Sequence, residues 1–233
     1  MTPAHTIDTQ RLSTVAHEYE REMLHFFGDL IAIPAADGHA GAAAERIRQE
    51  AARMPFEEIR PAGNLLARIG SGKQVVMMAA QPGADGAAGV AGMVYAGKLI
   101  HELGMYDDFT LWMTSPVQSL KESGIRPDCV LVAEPTNLCI KVREAASDGF
   151  LSESHPLVQA AIDTYETLFE LPPILSQSPS PFGPLGAPAI AFGAGEGATS
   201  PDGGGPLATR HLLKAAQFYA SFPMMFVETL RQR

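Results

Sequence analysis

The residues to ask chemistry of first are the seven histidines: His5, His17, His25, His39, His101, His155 and His211. A zinc site on a helix needs two imidazoles on one face, in His-x3-His or His-Glu-x-x-His spacing. Neither spacing occurs. His17 and His25 fall on one predicted helix, and His101 and His211 on others, so all read as surface or packing residues. Ser119 and Ser200 have no histidine and acid in identifiable spacing that would activate either as a nucleophile. The run Phe192-Gly-Ala-Gly-Glu-Gly-Ala-Thr has the glycines of a phosphate cradle but lacks the Gly-Lys-Ser/Thr ending of a P-loop. The two cysteines, Cys129 and Cys139, are too few for a disulfide scaffold. Cys129 opens an apolar run, where a buried thiol is expected.

The elements that must position these residues follow from hydrophobic spacing. Leu12, Val15, Tyr19, Met23, Phe26, Phe27, Leu30 and Ile33 recur at helical spacing and predict one amphipathic helix over 11–33, closed by Pro34. A second helix is predicted over 40–54. Phe56 to Ile59 has the pattern of a short edge strand, and 64–69, 74–80, 109–117, 129–132 and 189–192 that of further strands. The continuously apolar run over 74–80 suits a central strand covered on both faces. Ile140 to Val142 is a shorter candidate. Helices are predicted over 89–103, over 156–170 with Ser154 or His155 as cap before Pro156, and over 207–222. Residues 176–187, rich in Pro, Ser and Gly, and 194–206, rich in Gly, read as loops. Strands alternating with helices indicate an α/β layer structure with helices on both faces of the sheet.

Composition sets the outer limits. With 46% hydrophobic and 18% charged residues, the 233-residue chain lies in the range of globular proteins, long enough for one well-buried core. A net charge of −9 with 17 scattered Lys and Arg argues against a sequence-independent grip on nucleic acid, and no basic cluster suits a membrane surface. No window is apolar enough for a membrane span and the start has no signal-peptide pattern, so a reducing cytoplasm is the expected location.

Four segments, in order, carry a family resemblance. Val75-Val-Met-Met-Ala-Ala-Gln with Gly89-Val-Ala-Gly-Met-Val-Tyr-Ala-Gly-Lys-Leu-Ile is the first. Phe109-Thr-Leu-Trp-Met-Thr-Ser-Pro-Val-Gln is the second, and Arg126-Pro-Asp-Cys-Val-Leu-Val-Ala-Glu-Pro-Thr-Asn the third. The fourth is Pro188-Ala-Ile-Ala-Phe-Gly-Ala-Gly. Together they resemble the zinc-dependent aminoacylase, carboxypeptidase and deacetylase superfamily, in particular its acetylornithine deacetylase and succinyl-diaminopimelate desuccinylase type. The resemblance implies a site in which a pair of zinc ions polarises an amide carbonyl and activates water, with a glutamate as general base.

Set against that pattern, most of the machinery is replaced. Where the family has His-x-Asp after the first strand, this chain has Gln81-Pro82-Gly83, and a carboxamide oxygen is a poor zinc ligand beside imidazole. The family's substrate-facing loop is omitted, and Asp85 matches the bridging aspartate. Ser119 and Leu120 stand where the Glu-Glu pair of base and ligand belongs, and neither accepts a proton as a carboxylate does. Glu134 matches a metal ligand, and Thr199 occupies the place of the last metal histidine. The inserted lid and dimerisation domain is absent near 143–155, and with it the family's dimer contact.

The expectation is therefore one three-layer α/β domain over residues 1–233: a central mixed sheet flanked by helices, equal to a zinc exopeptidase-like catalytic domain without its lid. Asp85 and Glu134 are the vestigial metal candidates. As a close pair they would raise one pKa by like-charge repulsion, or hold Zn²⁺ or Mg²⁺ weakly. As structural residues they would cap a turn and keep a hydrogen bond. No cofactor is expected under the main reading, a non-catalytic binding or partner subunit beside, for example, a full-length paralogue. The alternative is a hydrolase of N-acyl amino acids or peptide-like amides with a remodelled site.

Overall fold

The computed structural model describes residues 7–34, 40–60, 65–82, 86–145, 149–181, 185–195 and 206–233. In chain order the elements are α1 (Thr9–Glu18), α2 (Glu20–Ala32), α3 (Ala40–Ala51), β1 (Glu58–Arg60), β2 (Leu65–Ile69), β3 (Gln74–Ala80) and α4 (Ala87–Glu102). They continue with β4 (Phe109–Ser115), α5 (Ser119–Glu122), β5 (Cys129–Ala133), β6 (Ile140–Val142), β7 (Glu144–Ala145) and β8 (Gly149–Phe150). The last are α6 (Pro156–Phe169), β9 (Leu175–Gln177), β10 (Ala189–Phe192) and α7 (Pro206–Arg231).

Eight strands form one mixed sheet in the order β1-β2-β4-β3-β5-β10-β6-β9, while β7 and β8 make a separate antiparallel pair. The four middle strands, β4, β3, β5 and β10, run parallel, with Met77 opposite both Trp112 and Val130 and Val132 opposite Ala191. Antiparallel pairs flank that block at β2 and at β6. Parallel strands buried on both faces tolerate uninterrupted apolar runs, which is why Val76 to Ala80 and Cys129 to Ala133 are buried throughout.

The two faces are covered unequally. Alternate residues Val76, Met78 and Ala80 of β3 join a large core with α1, α2, α3, α4, α6 and α7. Met77 and Ala79 join a smaller core with Trp112, Val130, Val132, Leu120 of the one-turn α5, and Leu185 before β10. The expected central mixed sheet flanked by helices stands, but among the described residues the second covering layer is a single turn and connecting chain. Arg60 and Arg68 complete it, their guanidinium groups 4.7 and 6.0 Å from the Trp112 ring centre.

Helix α4 lies in the middle of the large core and is buried on nearly every side, from Ala87 to Gly97. It joins β3 to the parallel neighbour β4 and so packs on the sheet as a crossover helix. Close approach is bought by glycine: a Cβ on Gly89 would lie 2.3 Å from the carbonyl oxygen of Ala133.

Several predicted boundaries are corrected. The single helix over 11–33 is two helices meeting at Tyr19, whose φ of −95° and ψ of 2° turn the axis. Pro223 does not end the last helix, which continues to Arg231 because Met224, Phe226 and Val227 bury their side chains. Part of the predicted loop over 176–187 is edge strand β9, and His155 rather than Ser154 caps α6, accepting from the Leu157 N–H at 3.2 Å. No helix among the described residues is long and apolar enough to cross a membrane.

Candidate functional site

The parallel block ends on one edge of the sheet, where Ala80, Ser115, Ala133 and Phe192 close β3, β4, β5 and β10. In open α/β sheets ligands bind in the crevice outside such strand ends. The residues singled out in the sequence follow these ends directly: Gln81 after β3, Ser119 and Leu120 after β4, Glu134 after β5. Because Ala80 pairs with Ala133, Gln81 and Glu134 leave neighbouring strands at the same level. Gly83, Asp85 and Thr199 lie outside the described residues, as do His5, His39 and Ser200.

The turn after β5 is fixed by backbone contacts. Thr136, buried, accepts through Oγ1 from the Gly193 N–H at 3.0 Å, and the Leu138 N–H donates to the Gly193 carbonyl at 2.8 Å. Asn137 and Leu138 both have positive φ, 55° and 59°, a conformation that side chains other than glycine adopt at some cost. A Cβ on Gly193 would stand 2.4 Å from the Glu134 carbonyl, so only glycine lets β10 come this close. The Tyr219 hydroxyl, fully buried in α7, donates to the Phe192 carbonyl at 2.7 Å. Desolvation raises the Tyr219 pKa far above the ordinary phenol value, so the group serves as a neutral donor.

Glu134 does not stand alone. Its carboxylate forms an ion pair with the guanidinium of Arg143, the residue that follows β6, and the two side chains are 14% and 3% exposed. Arg143 also donates through Nη1 to the carbonyls of Ser178 and Pro179, at 3.3 and 2.8 Å, and its backbone N–H donates to Ala189. Burial pulls the Arg143 pKa below the usual arginine value, and Glu134 is the counter-charge paired with it. Sequence patterns did not single out Arg143. Its signal was faint: a cation at the end of the alternating run Ile140-Lys-Val, where an unpaired charge would not be buried.

Elsewhere on this edge, Gln81 Oε1 and Ser115 Oγ are buried with no hydrogen-bond partner among the described residues. Ser119 is buried in α5, its N–H on the Pro116 carbonyl, and Leu120 packs into the smaller core beside Trp112. Both occupy their places as packing residues.

Among the described residues no three His, Cys, Asp or Glu side chains converge on a point that could hold a metal ion. The described donors do not fit a zinc pair. One is a carboxamide, and the other is a carboxylate already paired with an arginine whose charge would repel a cation. The described histidines have other places: His17 bonds the Ser13 carbonyl, His25 faces Asp29, His101 stacks on Tyr106, His155 caps α6, and His211 lies on α7. Cys129 is buried and Cys139 half-buried, both free.

No family model matches the sequence. The uncharacterised protein YgeY of Escherichia coli K12 is 31% identical over 164 residues, which take in 52% of this chain and 41% of YgeY. The chain thus spans less than half the length of that relative. Among solved structures, the YxeP protein of Bacillus subtilis, described as a dinuclear metal-binding peptidase of the M20 family, superposes with a TM-score of 0.71 at 12% identity. That match covers 91% of this chain and 99% of YxeP. The dipeptidase Dug1p of Saccharomyces cerevisiae gives 0.72 at 7% identity, covering 95% and 99%. A Zn-dependent exopeptidase of Parabacteroides distasonis gives 0.54 at 10% identity, covering 92% and 97%. The sheet order, the strand-end site and these likenesses together identify the chain as a distant relative of YgeY with the zinc-dependent exopeptidase fold in its M20 form.

Proposed function

We propose that the chain is a non-catalytic relative of the metal-dependent amidohydrolases and peptidases, acting as a binding or partner subunit. The observation that carries this reading is the Glu134–Arg143 pair. A carboxylate at the position of a metal ligand is neutralised by a buried guanidinium, which leaves it little capacity for a second cation. Gln81 in place of an imidazole, and Ser119 with Leu120 in place of the base and its neighbouring ligand, support the same reading. A general base must accept a proton near neutral pH, and neither a hydroxyl nor an alkyl group does so.

The reading includes a single catalytic-type domain without the lid, the chain passing from β6 through the short β7–β8 pair to α6. A lid-mediated dimer is not part of it. A full-length paralogue is the partner class it favours, in a reducing compartment such as the cytoplasm, with Cys129 and Cys139 as thiols. A metal-dependent hydrolase of N-acyl amino acids or peptide-like amides is the second reading, favoured by the likeness to a dinuclear metal-binding peptidase. It requires a zinc or magnesium site completed by Asp85 and the region of Thr199.

Elemental analysis of chelator-treated, zinc-reloaded protein separates the two. The non-catalytic reading expects far less than one zinc per chain, and no hydrolysis of N-acyl amino acids or dipeptides above a Glu134→Ala control. A full equivalent of zinc that is lost in Asp85→Ala, with hydrolysis above that control, overturns it in favour of the second.

A further inference from the structure

We infer that the Arg143 guanidinium is a resident cation seated in an oxygen cage where a metal ion would sit, and that it clamps the end of β5 to the chain leaving β9. The inference rests on the reading of the chain as a non-catalytic relative, because it takes Glu134 as a carboxylate that serves this side chain and no metal ion.

The cage is drawn from distant parts of the chain. Nη2 of Arg143 meets the carboxylate of Glu134, after β5, and Nη1 donates to the carbonyls of Ser178 and Pro179, after β9. One carboxylate and two backbone carbonyls are the kind of oxygen set that holds a hard cation such as Ca²⁺. Here the positive charge is part of the chain. Among the described residues no other Lys, Arg or His lies within ion-pair distance of Glu134, so its compensation depends on Arg143.

Small residues clear the path of the side chain. Strand β10 lies between β5 and β6, and the Arg143 backbone is bonded to its first residue, Ala189, so the guanidinium must cross β10 to reach Glu134. Alternation sets Glu134 on the face of Val130 and Val132, and there β10 presents only Ala189 and Ala191. Lysine could not replace the arginine. An ammonium is a compact point charge, whereas the planar fork sets its two terminal nitrogens on different acceptors at fixed spacing.

Thermal unfolding of chelator-treated protein with added Ca²⁺ or methylguanidinium tests this, with methylammonium as the control that carries charge without a fork. Wild type should respond to none of them. Arg143→Ala empties the cage and should unfold at a lower temperature. Ca²⁺ and methylguanidinium should each raise its midpoint by several degrees, and methylammonium by less. In Glu134→Gln/Arg143→Ala the anion is gone and neither ion should act, a dependence that lost packing alone does not produce. If Arg143→Ala is unfolded by itself, the same ions are read by recovery of its native circular dichroism. Failure of either ion to stabilise Arg143→Ala, or an equal gain in the double variant, overturns the inference and leaves the non-catalytic reading standing. Wild type that takes up a full equivalent of zinc, lost in Glu134→Ala, overturns both.

Discussion

At the scale of single residues, the arginine beside Glu134 decides how this edge behaves. Removing one member of a buried ion pair strands the other, so Arg143→Met is expected to lower the unfolding free energy by about 3–5 kcal/mol. The double variant Glu134→Gln/Arg143→Met should recover most of that loss, and urea denaturation of the three proteins measures the difference. Two histidines set a pH dependence. Burial, then Arg233, lowers the His155 pKa, and burial, then Lys214 and Arg210, lowers that of His211, both from 6.5. The folded protein therefore binds fewer protons than the unfolded chain between those lowered values and 6.5. Stability should be fully present above that window and fall as the pH drops through it. Urea midpoints on either side of 6.5 check this, and His155→Asn, which keeps a helix cap without the titration, should flatten part of the slope. Glu134 was legible in the sequence because its strand and turn resemble a known motif. Arg143 was not, because its partner follows a strand that only the sheet order brings near.

At the scale of elements, α4 is held by small residues and by a polar network on its flank. Gly89→Val would set a Cβ 2.3 Å from the Ala133 carbonyl oxygen of β5, a backbone clash that no rotamer relieves, and is expected to cost about 1–3 kcal/mol or more. Thermal unfolding against Gly28→Ala, whose Cβ would meet nothing within 4 Å, separates close packing from helix propensity. On the other side, buried Glu50 of α3 accepts from the Tyr95 hydroxyl of α4 at 2.7 Å and from Arg46 at 2.8 Å, and Arg46 reaches Asp29 of α2 at 2.9 Å. Glu50→Ala leaves the Tyr95 hydroxyl and the Arg46 charge without their buried acceptor, with an expected loss of about 2–4 kcal/mol by urea denaturation. Helical and strand periodicity located nearly all these elements, since a side chain's face repeats along its own segment. The break at Tyr19, the passage of α7 through Pro223 and the strand at 175–177 escaped it. Each depends on what the neighbouring elements bury or pair rather than on the local residues.

At the scale of the whole molecule, the sheet grades from a doubly covered centre to bare margins. Amide exchange should be slowest in Val76 to Ala80 of β3 and in β5, buried and paired on both sides, and fastest in β1 and in the β7–β8 pair. If β1 exchanged as slowly as β3, the sheet would be opening only as one unit. By itself the sequence determined the α/β class and most of the order of strands and helices along the chain. Those follow from side-chain chemistry and from periodicities of two and 3.6 residues, which are local properties. Only the tertiary structure decided which strands are neighbours, that among the described residues one face carries six helices and the other a single helical turn, and that a guanidinium meets Glu134. Strand order and side-chain partnership join residues distant along the chain. They are settled by the burial of apolar surface and the pairing of charge across the whole molecule, which no single segment encodes.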